Sequence, residues 1–337
     1  MRSTIAVLSV ALMSIAGVVL PSVAAAEVSE VRVARQFGIS FLPILVMEDK
    51  QLFEKHAKAA GLTSHATYMQ LSGGTTMNDS LLAKSIDVAG GGIAPFAILW
   101  ARTKGTSNEV KAIAAKNCAP ILLLTREPRI QSIRDFTEND RIAMPATKVS
   151  GTAIVLQMAT EKEFGKGSAF KYDNLQVAMS TPEGTTALLS GAGEINNQFS
   201  EPPFQYVALK KPGIRSILKS YDVLGGKTTY NLVWTTSAFH NENPKTYKAF
   251  LDAFTEAMQV IAQDKRAAAE IYVRMTKEKV SVDEIYALIN DPEIEFTTTP
   301  RNMMKIITFM SDVGHIKSRP ASWQEMFFPE VHGLPGS

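Results

Sequence analysis

Residues 67–96 read TYMQLSGGTTMNDSLLAKSIDVAGGGIAPF, and residues 175–204 read LQVAMSTPEGTTALLSGAGEINNQFSEPPF. Each stretch is an apolar run, a Ser/Gly/Thr turn, a short amphipathic segment, a second apolar run and a turn ending at Pro-Phe. A repeated strand–turn–helix–strand unit predicts two similar lobes. Working outward, short apolar runs at Val31–Arg35, Lys111–Ala115, Ile121–Thr125 and Arg141–Met144 alternate with helical patterns at Pro43–Leu52, Pro95–Arg102 and Ala153–Glu163. Beyond Asn243 the chain turns mostly helical, with Asn243 as cap and Pro244 in the first turn. This order predicts an α/β fold in which each lobe is a mostly parallel sheet flanked by helices.

The amino terminus carries Arg2, an uncharged apolar run from Ser3 to Leu20, and Pro21-Ser-Val-Ala-Ala-Ala26. This pattern predicts a secretory signal peptide over residues 1–26, removed after Ala26, and hence a periplasmic protein. The remaining ~310 residues exceed one typical domain and suit two lobes. The 337 residues include 35 Lys+Arg and 33 Asp+Glu, a formal net charge of +2 that gives no electrostatic case for nucleic acid. Cys118 is the only cysteine, so no intrachain disulfide forms, and its setting in KAIAAKNCAPILLL predicts a buried thiol. His56, His65, His240, His315 and His332 show no metal-like spacing, and no cofactor is expected.

Parallel sheets bind ligands beyond the carboxyl ends of their strands. Four small-residue clusters stand at such ends: Gln36–Ser40, Ser72–Thr76, Gly90–Gly92 and Lys148–Thr152. Glycine admits close backbone approach, and the free N–H groups of a following helix favour a negative group. None matches a nucleotide-binding loop, and no G-x-S-x-G, H-E-x-x-H or paired-cysteine motif argues for an enzyme. Glu201, before Pro202-Pro203, reads either as an anchor for that turn or as a ligand contact. Arg35, ending the first strand, reads either as a partner for an anionic ligand or as neutralised within its lobe.

The sequence resembles the substrate-binding proteins of nitrate/sulfonate/taurine-type ABC importers, a group that also contains thiamine-precursor binders. The stretches that carry this are VRVARQFGISFLPILVMEDKQLFEKHAKAAGL, LSGGTTMNDSLLAKSIDVAGGG, PEGTTALLSGAGEI leading to Glu201-Pro202, and GHIKSRPASWQEMFFPEVHG with Trp323 and Phe327-Phe328-Pro329. The resemblance implies a two-lobed type II periplasmic binding fold, with residues 27–122 and 232–337 in one lobe and 123–231 in the other. Crossings are expected at Ile121–Arg126 and Tyr230–Thr235. The implied ligand contacts are Gln36, Gly38, Gly73, Gly74, Thr75, Gly91, Gly92, Ser150, Gly151, Thr152 and Glu201. The implied function is capture of a small organic anion, sulfonate or carboxylate-like, by a monomer that delivers it to a membrane permease and its ATPase. A pyrimidine or other aromatic heterocycle, with Glu201 and Phe199 as its hint, is the alternative ligand class, and a ligand-sensing subunit the alternative role. Three departures stand out: Lys84 where glycine is usual, Asn196 where aspartate is usual, and Arg35 where an aromatic residue is common. The second repeat, through Pro182-Glu183 and Asn196-Asn197-Gln198, is the expected seat of selectivity.

Overall fold

The computed structural model describes residues 26–337; the leader expected over residues 1–26 lies, apart from Ala26, outside the described residues. The strands are β1 Glu30–Arg35, β2 His65–Gln70, β3 Val88–Gly92, β4 Val110–Cys118, β5 Leu122–Thr125, β6 Ile142–Met144, β7 Gln176–Ala178, β8 Asn197–Ser200, β9 Arg215–Lys219, β10 Thr229–Thr236 and β11 Glu295–Phe296. The helices are α1 Leu42–Asp49, α2 Leu52–Ala59, α3 Gly74–Leu82, α4 Ile93–Thr103, α5 Gly151–Phe164, α6 Thr181–Ser190, α7 Phe204–Leu209, α8 Ser220–Leu224, α9 Ser237–Glu242, α10 Pro244–Gln263, α11 Lys265–Thr276, α12 Val282–Asn290 and α13 Met303–Asp312. No helix among the described residues is long and apolar enough to cross a membrane.

The two quoted stretches fold alike. One gives β2–α3–β3 leading into α4, the other β7–α6–β8 leading into α7. The likeness extends to the sheets. The first runs β2-β1-β3-β10-β4-β11 and the second β7-β6-β8-β5-β9, so in each a trio of strands, β1 to β3 or β6 to β8, has its first member between the other two. In both, the three strands joined through helices are parallel: β1 with β2 and β3, and β6 with β7 and β8. The remaining pairings are antiparallel. The sheets are therefore mixed rather than mostly parallel, because the strands that arrive from the other sheet enter against the direction of the βαβ units.

The runs expected as crossings are themselves strands, β5 and β10; the links between sheets are the short segments 119–121 and 225–228. Two large apolar clusters hold the sheets to their helices. One includes Trp100, Trp234, Phe96 and Phe327, and the other Phe41, Phe53, Phe250 and Phe254, all essentially without exposure. Phe327 and Trp323 of the carboxyl-terminal tail meet edge to face, and Phe328 N–H donates to the Ala112 carbonyl at 3.0 Å, tying the tail to β4.

Local capping signals explain several helix starts, with two differences. Ser150 caps α5 by accepting from Ala153 N–H at 3.2 Å, and Ser180 with Glu183 forms a capping box on α6. Asn243 precedes α10 as expected, but its side chain accepts from Val28 N–H at 2.9 Å instead of capping. The cap comes from Glu27, whose carboxylate accepts from Lys245 N–H at 3.0 Å and Thr246 N–H at 2.6 Å. The single helix expected at 43–52 breaks at Gln51, in the left-handed region at φ 50°, and restarts as α2.

Candidate functional site

The carboxyl ends of the parallel strands in the two sheets face each other, and the loops after them meet across a cleft. Gly38, in the loop after β1, has φ +96°, a conformation open mainly to glycine. A Cβ there would lie 3.1 Å from both Glu201 Cδ and the Pro202 carbonyl oxygen, so the loop is seated directly on the end of β8. Ile39 N–H donates to the Pro202 carbonyl at 3.0 Å, a main-chain bond between the lobes; the Pro202–Pro203 peptide is cis. At the far side of the cleft, a Cβ on Gly73 would lie 3.0 Å from the Pro145 carbonyl oxygen. A Cβ on Gly151, at the start of α5, would lie 2.7 Å from the ring of Tyr230 on β10.

These contacts bring most of the expected residues together. Gln36 and Gly91 are neighbours, the glutamine oxygen lying 3.4 Å from a Cβ built on Gly91. Ser150, Gly151 and Thr152 open α5 against Tyr230, with the Ser150 and Thr152 hydroxyls bonded at 2.8 Å. Gly92 caps α4 in extended conformation. Gly74 packs on Pro95 within its own lobe, and Thr75 beside it is exposed. Gly90–Gly92 form the last residues of β3 rather than a turn, since Gly90 lies close to Phe41 and Gly91 to Trp234.

Two of the second repeat's amides, Asn196 and Gln198, are committed inside their lobe. Asn196 donates to Asp140 at 2.8 Å and accepts from Arg141 N–H at 2.9 Å. Gln198 donates to the Thr181 carbonyl at 2.8 Å and accepts from Thr185 at 3.1 Å. These bonds brace β8 against β6 and α6, so Asn196 and Gln198 serve as scaffold; Asn197 donates to the Asn196 side chain at 2.7 Å and keeps its own Oδ1 without a partner among the described residues. Phe199 is wholly buried in the core and does not face the cleft.

Sequence reasoning missed the charged centre of the cleft. Lys116, on β4, is fully buried, and its ammonium stands 3.0 Å from the centroid of the Phe41 ring. Among the described residues its Nζ has no hydrogen-bond partner, and neither has the buried Oε2 of Glu201. Glu201 keeps some residue-level exposure while its carboxyl is enclosed. Burial pushes that carboxyl up to about 7, against the attraction of Lys116 and hydrogen bonds from Thr181 and Ser40. Burial likewise holds the Lys116 ammonium well below the usual lysine range, against the pull of Glu201. Asn117 beside it donates to the Ser40 hydroxyl at 2.9 Å and leaves its Oδ1 free. The available signal was a lysine inside the apolar run KAIAAKNCAPILLL, which reads at first as the setting of Cys118. That thiol is buried and pushed up to about 11.

Arg35 is half-buried beside Glu48, Tyr272 and Glu278, with its Nε unpartnered; Tyr272 donates to Glu278 at 2.8 Å. At the opposite ends of the strands a cavity of about 150 Å³ is lined by Arg32, Leu82, Asp87 and Phe239. Its Arg32–Asp87 pair is bonded at 2.7 and 2.9 Å and offers no free charge. No cluster of metal-ligating side chains occurs among the described residues.

Two lobes of matching strand order, joined by two short links and meeting at their strand ends, define the two-lobed periplasmic binding protein fold. Residues 24–275 match the model of the NMT1-like family, and the chain belongs to that family. Among solved structures it is similar to the alkanesulfonate-binding protein of Xanthomonas axonopodis pv. citri bound to MOPS, at 13% identity over 86% of this chain and 93% of that one, TM-score 0.66. It is also similar to the periplasmic nitrate-binding protein of Synechocystis PCC 6803, at 15% identity over 88% and 83%, TM-score 0.67. The periplasmic aliphatic sulphonate binding protein of Escherichia coli aligns at 15% identity over 90% and 92%, TM-score 0.65. No curated protein matches this chain.

Proposed function

We propose that this chain is the periplasmic solute-binding component of an ABC importer, capturing a small organic anion between its lobes. The observation that carries this reading is the buried, unpartnered Lys116 ammonium in a cleft bordered by the amino termini of α3, α5 and α6. A buried cation and the amino terminus of α3, which carries no side-chain cap, together favour a negative ligand. Residues 1–26 serve as the export signal, residues 27–122 with 232–337 as one lobe, and 123–231 as the other. Gln36, Gly38, Gly73, Gly91, Gly92, Ser150, Gly151, Thr152 and Glu201 border the ligand. Binding works by rotation of the lobes about the links 119–121 and 225–228, without covalent chemistry, and a monomer presents the closed form to a permease. The similar folds of the sulfonate-binding and nitrate-binding proteins support a small anion as ligand.

A thermal-shift and calorimetric screen of the mature protein against sulfonates, carboxylates, nitrate and pyrimidines tests the reading. Stabilisation by one of the anions, with a smaller radius of gyration on binding, is expected. Stabilisation by cationic heterocycles alone overturns it, as does turnover of any bound compound.

A further inference from the structure

Lys116 and Glu201 approach from opposite lobes, and each keeps an unused hydrogen-bonding valence. The lysine sits at the end of β4 with Phe41 beneath its ammonium, and Nζ has no acceptor. The glutamate follows β8; its carboxylate draws on the hydroxyls of Thr181, 3.4 Å from Oε1, and of Ser40, while its Oε2 keeps no partner among the described residues. An aromatic face attracts an ammonium but does not accept its N–H groups as a carboxylate does, so the lysine is left costly in the folded chain. A structural ion pair in such a place makes direct contact, because a buried charge gains most from a short charge-assisted bond. Asn117 adds a further free acceptor, Oδ1, and Asn231 on the neighbouring strand a free donor, Nδ2. The surrounding charges are Arg35, Glu48 and Glu278, with Tyr230 and Tyr272 nearby.

We propose that Lys116 anchors the ligand's negative group while Glu201 receives an N–H or O–H donor on the same molecule, so the ligand class is a small bifunctional anion. This rests on the reading above and narrows it. A plain alkyl anion fills one valence and leaves the carboxylate buried and unanswered. An anion bearing an amino or hydroxyl group a few bonds away fills both and completes the interlobe contact.

The test uses full-length mature protein, unfolded, dialysed and refolded to strip bound solutes. Melting temperatures are measured for wild type, Lys116→Met, Lys116→Gln and Glu201→Gln. Affinities are then measured by calorimetry for the matched pairs acetate and glycine, propionate and β-alanine, and butyrate and 4-aminobutyrate. Without ligand, Lys116→Met is expected to melt several degrees above wild type, since it removes an unanswered buried charge. An amino acid of at least one pair is expected to bind wild type tenfold or more tightly than its parent acid. That ratio collapses in Glu201→Gln, and both bind too weakly to measure in the Lys116 variants. A fall or no change in melting temperature in Lys116→Met overturns the proposal, as does failure of both lysine variants to fold. Equal binding of acid and amino acid, a ratio that survives Glu201→Gln, or no binding by any pair overturns it as well. The broader reading fails differently, when no anion of any class stabilises wild type.

Discussion

A Cβ at Gly38 would stand 3.1 Å from the carboxyl carbon of Glu201, placing the loop after β1 of one lobe on the strand end of the other. Neighbouring Ile39 bonds to Pro202 across the same seam. Gly38→Val strains a left-handed backbone and wedges this seam at once. The variant is expected to remain folded by circular dichroism, to show a larger radius of gyration in solution scattering, and to lose at least tenfold in ligand affinity. Unchanged dimensions would mean that the seam does not govern closure.

Gly151 and Tyr230 form a second seam, where a Cβ would come within 2.7 Å of the ring. Gly151→Ala is expected to weaken ligand binding several-fold with little effect on helix content. Tyr230→Leu combined with Gly151→Ala is expected to recover much of that loss, because contacting residues couple by roughly 0.5–3 kcal/mol. Additive effects in the double-mutant cycle would separate the two positions.

Stability should depend on pH through Glu201. Its carboxyl is raised to about 7 in the folded chain from an ordinary 4.5, so the folded state binds the extra proton. Between those values the unfolded state holds fewer protons, and stability falls as pH rises through about 4.5 to 7. Glu48 and Glu278, also raised by burial, slope the same way, whereas the depressed Lys116 slopes oppositely at higher pH. The difference between wild type and Glu201→Gln isolates this one group. Urea midpoints measured from pH 4 to 8 should show the Gln variant losing less stability than wild type across that window.

Lys84 stands at φ 55° in the turn between α3 and β3, exposed and without a resolved pairing of its charge. Glycine adopts this conformation without the Cβ clash, offset in part by its greater freedom when unfolded. Lys84→Gly is expected to stabilise the protein by about 0.5–1 kcal/mol in denaturant titration, and Lys84→Val to destabilise it.

Glu27 caps α10 with two main-chain bonds at 3.0 and 2.6 Å. Burial raises its carboxyl, but bonds from Thr246 and Lys245 outweigh this and hold it below the ordinary range. A carboxyl depressed on folding contributes stability above pH 4.5 that disappears as pH falls through its lower folded value. Glu27→Ala should cost about 1 kcal/mol at pH 7, as loss of a helix cap does, and progressively less toward pH 3.

The repeat was legible because alternating apolar runs, Ser/Gly/Thr turns and capping signals recur in the same order at residues 67–96 and 175–204. Strand direction was not, because a pleated strand shows the same period of two whether it pairs parallel or antiparallel. β5 and β10 thus looked like tethers, and their antiparallel entry into the sheets depends on tertiary pairing. Gly90–Gly92 read as a turn from composition, yet Phe41 and Trp234 crowd these positions and make bare strand necessary. Asn196–Gln198 looked selective because amides are versatile, but their partners, Asp140, Arg141 and Thr181, lie far away in sequence. Lys116 was visible as one charge in an apolar run; only the fold shows that its partner-to-be stands on the other lobe.

If the lobes rotate as proposed, the links 119–121 and 225–228 make the cleft a lever. Lys116 and Asn117 sit at the end of β4, almost on the fulcrum, whereas Gly73 follows β2 at the far edge of its sheet. A ligand drawing the lobes together at the fulcrum moves the Gly73–Pro145 rim through the larger arc. A movement too small to alter the seat's own contacts is thereby magnified at the rim, the edge a membrane partner would touch. Occupancy is written there as distance.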